Sequence, residues 1–267
     1  MIKLQDVSYV RLGTRDLEFV LHEPEAGVLR AERAVRALAR AAAAHGARFE
    51  RAVARPESAH AVGLDDGRTL EADRVVWACG PWLAALFSDR VALRVTHQDL
   101  FFFDGGPAWA GAPGWVDYDR AIYGTGDVDG HGVKAAPDTE GPPLDPAAPL
   151  PAADPARERT AREYLAERFP PLAGAPLKSS RACRNEISAD SHFLAGELPG
   201  RPGHWLVGGG SGHGFKHGPA LAEELIPALR DGSALPAHFA LGERAPGRSL
   251  RTAGSNYAAS SGRSSSA

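Results

Sequence analysis

The chain has 267 residues, of which 43% are hydrophobic and 24% charged, and its formal net charge at pH 7 is −3. This length is sufficient for one large or two small domains with a buried core. The weakly negative charge argues against nucleic-acid binding, and the apolar runs are too short to cross a membrane. No basic segment followed by an apolar stretch opens the chain, and two cysteines make no disulfide framework, so we expect a cytoplasmic protein.

The first third of the chain predicts a helix followed by strands. Alanine and leucine recur at helical spacing over residues 32–45, and Gly46 follows as a typical C-terminal cap. Strands are predicted at residues 47–53, 59–64 and 68–72, and the hairpin turn Asp65-Asp66-Gly67 joins the last two. A short buried strand is predicted at residues 75–78, before Gly80-Pro81.

The rest of the chain predicts an antiparallel sheet and then further strands and helices. The sheet strands are expected at residues 95–103, 114–118, 121–123 and 131–135. The Pro/Ala-rich residues 137–155 are expected on the surface, before a helix at 157–169 that Pro170-Pro171 stops. Strands within residues 181–207 and a helix at 219–229 follow, and the Ser/Gly/Arg-rich residues 244–267 are expected to be disordered. Together these elements predict a mixed α/β (α+β) fold.

Five glycines stand within seven positions in the stretch Gly208-Gly209-Gly210-Ser211-Gly212-His213-Gly214. The apolar run 204–207 precedes this stretch and a helical pattern follows it, which predicts a strand-turn-helix site. Glycines allow close approach of a ligand, and amides at a helix start favour an anion or a flat, electron-rich ring. The alternative is an ordinary glycine-rich turn with no ligand.

A longer motif narrows this choice. Cys183 is followed by Asp190 seven positions on and Phe193 ten positions on, and then by the run Ser211-Gly212-His213-Gly214-Phe215-Lys216. This pattern resembles the sarcosine oxidase branch of the D-amino-acid-oxidase-like flavoenzymes. Residues 23–29 and 72–82 are also similar to that family, so the resemblance covers roughly residues 19–232.

The resemblance implies an FAD-dependent enzyme that oxidises a secondary or primary amine, such as a sarcosine-like N-alkyl amino acid. Oxygen would be the electron acceptor, and an imine or aldehyde and hydrogen peroxide would be the products. It also implies an incomplete FAD-binding domain made of residues 1–90 and 180–243, with residues 91–179 as an antiparallel-sheet substrate-binding domain.

One part of the family pattern is absent from this sequence. Such enzymes open with a strand, a G-x-G-x-x-G turn and a helix that hold the FAD pyrophosphate, and no such turn occurs before Ala26-Gly27. We therefore expect the chain to be the C-terminal part of an oxidase, with a misplaced start or a partner chain as the source of the missing segment. The alternatives are a non-catalytic remnant or subunit, and a dehydrogenase of the same fold, against which Lys134 argues.

The resemblance also implies residue roles. Tyr123 and Lys134 would face the flavin, with Tyr123 lining the substrate side and the Lys134 charge stabilising the anion formed as oxygen takes an electron; the alternative for Lys134 is a solvated strand-end lysine. Lys216 would pair with a substrate carboxylate, or be a surface charge. Asp138 stands where sarcosine oxidases have a histidine near the substrate, and a carboxylate there would favour a cationic amine and disfavour a substrate carboxylate. This changes the expected substrate, or else the local alignment slips at Pro137.

The remaining implied roles concern the cofactor. Cys183 matches the cysteine that carries flavin through a thioether in the sarcosine oxidase branch, although a buried, inert cysteine is the alternative. His213 belongs to both the catalytic and the cofactor-binding sets. The positions expected to contact FAD are Val53, Ala78, Cys79, Gly80, Cys183, Gly210, Ser211, Gly212, His213, Gly214, Phe215 and Lys216.

Two other site types are disfavoured by the sequence. His213 and His217 alone have H-x-x-x-H spacing, without the glutamate of a zinc-protease helix or any C-x-x-C pair, so no metal site is expected. A serine hydrolase is rejected because Gly210-Ser211-Gly212 lacks the G-x-S-x-G spacing.

Overall fold

A computed structural model describes residues 12–13, 16–242 and 244–245 of the chain. The longer helices are α1 (Ala31–Ala44), α3 (Pro155–Arg168) and α4 (Gly214–Asp231), and α2 (Leu83–Leu86) is a single turn. The strands are β1 (Ala54–Ser58), β2 (Ala61–Leu64), β3 (Thr69–Glu71), β4 (Val75–Trp77), β5 (Leu93–Phe103), β6 (Trp115–Asp117), β7 (Ile122–Thr125), β8 (Val133–Pro137), β9 (Leu177–Ser188), β10 (Leu194–Glu197) and β11 (His204–Gly208). The predicted mixed α/β fold is confirmed.

The largest sheet has five antiparallel strands in the order β6-β7-β8-β5-β9. Strand β5 pairs with β9 along its whole length, from Leu93 opposite Ser188 to Phe103 opposite Leu177. Side chains alternate between the two faces of a strand, so one set from β5, β7 and β8 points towards α3. That set and α3 form an aromatic-rich core, which includes Phe101, Phe103, Ile122, Val133, Tyr164, Leu165 and Phe169.

Helix α3 is defined at both ends by its sequence. The Asp154 carboxylate accepts a hydrogen bond from the Ala156 backbone amide at 2.8 Å, and Pro155 stands in the first helical position. Phe169 ends the helix and a 3-10 turn at Pro170–Leu172 follows. The helix predicted at 157–169 is thus confirmed with a start two residues earlier.

The second sheet carries the glycine-rich turn. Strand β11 lies between β10, to which it is antiparallel, and β4, to which it is parallel. Trp77, Leu83, Phe87 and Leu206 are buried together beside it, and Trp77 Nε1 donates to Nδ1 of the fully buried His204 at 3.0 Å. A separate meander of β1, β2 and β3 contains the predicted hairpin.

Two elements of the structure differ from the prediction made from the sequence. Residues 47–53 are not a strand, because the ladder with β2 begins only at Ala54 opposite Leu64, and the Val53 amide instead donates to the Asp65 carboxylate. Helix α4 begins at Gly214, five residues before the predicted start at Pro219.

Other sequence expectations are met in part or lie outside the described residues. The segment after β8 is largely at the surface, but it also bonds to β5, since the His97 amide donates to the Pro142 carbonyl at 2.9 Å. Of the predicted tail at 244–267, all but residues 244 and 245 lie outside the described residues. The predicted boundary between 179 and 180 falls within β9, and the division into domains stays a prediction. None of the helices in the described ranges is long and apolar enough to cross a membrane.

Candidate active site

The face of the five-stranded sheet opposite α3, here called the outer face, carries Tyr123, Lys134, Phe102, Arg181 and Cys183. Residues directly opposite each other in an antiparallel pair share a face. Lys134 on β8 lies opposite Phe102 on β5, and the β5–β9 pairing places Arg181 opposite Leu100 and Cys183 opposite Gln98. Because Gln98, Leu100 and Phe102 are two residues apart, all these side chains are on the same face.

Tyr123 and Lys134 come together on this face. The Lys134 Nζ atom lies 4.4 Å from the centroid of the Tyr123 ring, which is a cation–π distance. Both residues are partly buried. The two residues that the sequence places eleven positions apart are therefore neighbours in space, through the pairing of β7 with β8.

The surroundings of Lys134 disfavour its charge. Burial, and secondarily the positive charge of Arg181, lower the pKa of Lys134 to about 8 from its ordinary value of 10.5. The charges of Cys183 and Asp138 act weakly in the opposite direction. Lysine pKa values that are lowered by burial are typical of functional sites.

Asp138 follows β8 directly and is only 8% exposed. Its backbone amide donates to the Ala121 carbonyl at 2.6 Å. The Gln98 side-chain amide donates to the carbonyls of Pro137 and Thr139 at 2.7 and 3.0 Å, one on each side of Asp138. The backbone that carries Asp138 is thus held against the sheet, next to Lys134.

Cys183 is a free, partly buried thiol on β9. The motif residues that follow it have structural contacts in the described part of the chain. The Asp190 carboxylate accepts from the His192 amide and pairs with Arg244, both at 3.1 Å. The Phe193 ring packs edge-on against His213, with 5.4 Å between ring centroids.

The glycine-rich turn follows β11 and leads into α4, as the sequence predicts. Ser211 is fully buried with a positive φ of 44° and donates from its hydroxyl to the Gly209 carbonyl at 3.0 Å. The Gly210 amide donates to Oε1 of Glu186 at 3.2 Å, and the Ser211 amide donates to the Glu186 carbonyl at 3.0 Å. The turn is therefore anchored to β9.

This anchoring occupies amides that the sequence assigns to a ligand. The His213 amide donates to the Gly210 carbonyl at 2.8 Å, so the amides at 210, 211 and 213 all have acceptors within the protein. The assignment of Gly210, Ser211 and His213 to cofactor binding stays a prediction. Gly212, Phe215 and Lys216 are exposed at this turn and the start of α4, and Gly214 is partly exposed.

The predicted residues at the end of β4 border open space. Gly80 has a positive φ of 56°, and a Cβ atom added there would meet no atom within 4 Å. Ala78 is exposed, and burial raises the pKa of the half-buried Cys79 thiol. Val53 is 55% exposed beside the β2–β3 hairpin turn.

Two residues of the site were not identified from the sequence. Glu186 anchors the glycine-rich turn, and burial raises the pKa of its carboxyl despite hydrogen bonds from Gly210 and Gly209. Arg181 is exposed on the outer face beside Lys134. Both lie within three residues of Cys183 in the sequence, which is the one signal that points to them.

The described residues fit a flat, extended cofactor. The outer face offers an aromatic ring, a lysine without an ion pair among the described residues, and a free cysteine, and the space beside Gly80 is open. No group of three or more metal-ligating side chains occurs in the described ranges.

Comparison with known proteins identifies the family. Residues 6–227 match the model of the FAD dependent oxidoreductase family (DAO), and the chain belongs to this family, whose members bind FAD. A monomeric sarcosine oxidase from Bacillus sp. (strain B-0618) is 28% identical over 229 residues, which are 77% of this chain and 56% of that protein.

Solved structures share the fold. A fructosyl peptide oxidase from E. terrenum has a TM-score of 0.71 at 21% identity, with 85% of this chain and 59% of that chain covered. An Amadoriase I mutant from Aspergillus fumigatus has a TM-score of 0.67 at 24% identity, with 80% and 54% covered. The chain thus spans little more than half the length of these relatives.

Proposed function

We propose that the protein oxidises a small secondary or primary amine, using FAD as cofactor and oxygen as electron acceptor. The observation that carries the proposal is the position of Lys134: it is partly buried, lies over the Tyr123 ring, and has no ion pair among the described residues. The similarity to a sarcosine oxidase supports an amine as the substrate.

FAD, when bound, would supply the redox chemistry of amine oxidation, with oxygen as the final electron acceptor. The residues of the outer face that would contact its ring are Tyr123, Lys134 and Cys183, and Gly80 would border its extended part. Lys134 provides a fixed positive charge for the anion that forms as oxygen is reduced. A preorganised charge of this kind contributes roughly 3–4 kcal/mol.

Substrate recognition would involve two charges of opposite sign. The Asp138 carboxylate attracts a cationic amine, and it lies close enough to Lys134 to affect the pKa of that lysine. Lys216, exposed in the first turn of α4, would pair with a substrate carboxylate. Lys216 thus favours an N-alkyl amino acid or a similar amine that bears an anionic group, whereas Asp138 favours a cationic amine and disfavours a carboxylate next to it.

The test is amine-dependent peroxide release by the flavin-loaded protein. Sarcosine, a second N-methyl amino acid, an N-fructosyl amino acid and an uncharged N-methyl amine form the panel. We expect peroxide and aldehyde or imine in equal amounts with at least one carboxylate-bearing amine. Flavin-loaded protein that releases no peroxide with any of the four would contradict the proposal.

Covalent attachment of flavin through Cys183 is a further part of the proposal. Acid precipitation of the loaded protein should give a yellow pellet, and Cys183→Ser should move the colour to the supernatant. Cys79→Ser is the matched control, since Cys79 is the other free thiol and should leave the pellet yellow. Colour in the supernatant of the unchanged protein would show that no bond forms.

A second candidate is a subunit that needs a partner chain for FAD binding. The uncovered apolar side chains of α1 favour it, because Val35 and Leu38 are 53% and 64% exposed. Stoichiometric FAD binding by the isolated chain would exclude this candidate. FAD binding that requires a co-purifying partner would support it.

A further inference from the structure

A second cation, Arg181, stands beside Lys134 and has no role in the chemistry described above. Arg181 lies on β9, and its Cζ atom is 5.5 Å from the centroid of the Phe102 ring. Phe102 is also the residue of β5 that lies opposite Lys134 on β8. The side chain of Arg181 therefore extends over β5, the strand that lies between β9 and the Lys134 strand β8.

The charges on this part of the outer face are not balanced. Among the described residues, neither Lys134 nor Arg181 forms an ion pair, and each cation lies over an aromatic ring. The groups that face Lys134 are Arg181 and Cys183 from β9, Asp138 after β8, and Tyr123 from β7. Of the two charged residues among them, Arg181 changes the pKa of Lys134 more strongly than Asp138 does.

Two positive charges on a partly buried surface repel each other, and an anion between them would relieve that repulsion and the cost of burial. The guanidinium group offers a planar set of donors that matches a carboxylate or another small oxyanion, and the ammonium offers a point charge. The Phe102 ring under the Arg181 guanidinium provides a flat apolar surface next to them.

We propose that Lys134 and Arg181 form one binding subsite for a small monovalent oxyanion, such as a carboxylate, on the outer face of the sheet. This subsite does not require the oxidase reaction. Its part in catalysis rests on the proposed oxidase function: Arg181 would then act with Lys134 to stabilise negative charge that develops or binds on the outer face.

The lysine content of the chain makes the subsite measurable without FAD. The only lysines are Lys3, Lys134, Lys178 and Lys216, so reductive ¹³C-methylation gives few signals, and Lys134→Met identifies that of Lys134. The pH titration of this signal in the isolated chain reports the Lys134 pKa. Acetate and nitrate are the anion probes, at constant ionic strength.

We expect acetate and nitrate to raise the Lys134 pKa and to leave the Lys178 signal unchanged. Arg181→Gln should raise the Lys134 pKa in the absence of added anion and weaken acetate binding roughly tenfold or more. Arg184→Gln is the matched control. It lies on the same strand, but its guanidinium packs over Trp82, and it should change neither result.

A response to acetate but not to nitrate would support the subsite and assign it to a substrate carboxylate. An equal response to both would support it as a general small-anion site. The proposal would be overturned if neither anion changes the Lys134 pKa. It would also be overturned if this pKa is the same in the Arg181→Gln variant as in the protein without the substitution. Because no flavin is present, neither result depends on whether the protein is an oxidase.

Discussion

Helices α1 and α3 have the same length of 14 residues but opposite relations to the rest of the molecule. Helix α1 is strongly amphipathic, yet none of its residues is buried, and Val35 and Leu38 of its apolar stripe are among the exposed residues. Helix α3 shows almost no amphipathic pattern, yet it buries Ala161, Tyr164, Leu165 and Arg168. An apolar stripe thus shows which side of a helix favours packing against other residues, but only the fold shows whether that packing occurs.

The regions around Lys134 and Lys216, which are the two candidate binding regions, also differ in how far they are packed against the rest of the protein. Helix α3 supports the sheet that holds Tyr123 and Lys134, so these side chains extend from a packed, regular framework. Lys216 extends from the exposed first turn of α4. We therefore expect the geometry around Lys134 to be fixed by packing and that around Lys216 to depend on what binds there.

The largest expected effect distinguishes the two helices by stability. Leu165→Ala removes a side chain that is 1% exposed in the α3 core, and it should lower the free energy of unfolding by about 2–5 kcal/mol. Leu38→Ala in α1 should change it by less than about 0.5 kcal/mol. Denaturant titration measures both. Equal losses for the two variants would show that α1 is covered in solution.

The second prediction concerns the exposed lysine. Lys216→Ala should raise KM for a carboxylate-bearing amine by roughly 10- to 100-fold, because a charge-assisted hydrogen bond contributes about 1.5–3 kcal/mol. KM for an uncharged analogue should stay the same. Lys178→Ala is the matched control, since Lys178 bonds to the Gly130 carbonyl away from the motif residues. A similar rise for both substrates would mean that Lys216 has a structural role.

The third prediction is a pH dependence that follows from the buried lysine. Since the pKa of Lys134 is about 8, the lysine is charged below that pH and loses its charge above it. The rate of flavin reoxidation by oxygen should therefore decrease as pH rises through about 8, by up to about tenfold for each pH unit beyond it. Stopped-flow reoxidation between pH 6 and 10 checks this. A rate that is flat over this range would contradict the role of Lys134.

The smallest predicted effect compares the two helix starts. Asp154→Ala should destabilise the protein by about 1 kcal/mol, because it removes the hydrogen bond to the Ala156 amide that caps α3. At the start of α1, Arg30 makes no capping bond, and its ion pair with Asp129 is exposed, so Arg30→Ala should change stability by less than about 0.5 kcal/mol. Thermal denaturation of the two variants provides the comparison.

Local signals in the sequence predict most of the elements. The Asp65-Asp66-Gly67 turn fixes its hairpin, and Pro170-Pro171 marks the end of α3. Residues 47–53 were wrongly predicted as a strand because apolar residues alone do not supply a pairing partner. Pro219 is a typical first helical residue, but the helix had already begun at Gly214.

The site was predictable where a motif carries it and not where distant strands meet. The family resemblance places Tyr123 and Lys134 at one site, and they do meet, because β7 and β8 are neighbours in the chain and pair with each other. The approach of Arg181 to Lys134 depends on β9, which joins the sheet through β5 more than 70 residues away in sequence. Likewise, the bond from Gly210 to Glu186 needs the packing of the turn against β9.

The central claim is that the outer face with Lys134 is where oxygen is reduced. The most direct test is a pair of half-reactions on the flavin-loaded Lys134→Met protein, with Lys178→Met as the control. Reoxidation by oxygen should slow by roughly tenfold or more, while anaerobic reduction by the amine changes much less, because only the oxygen step develops the anion that Lys134 stabilises. Equal slowing of both half-reactions, or no slowing of reoxidation, would contradict the account.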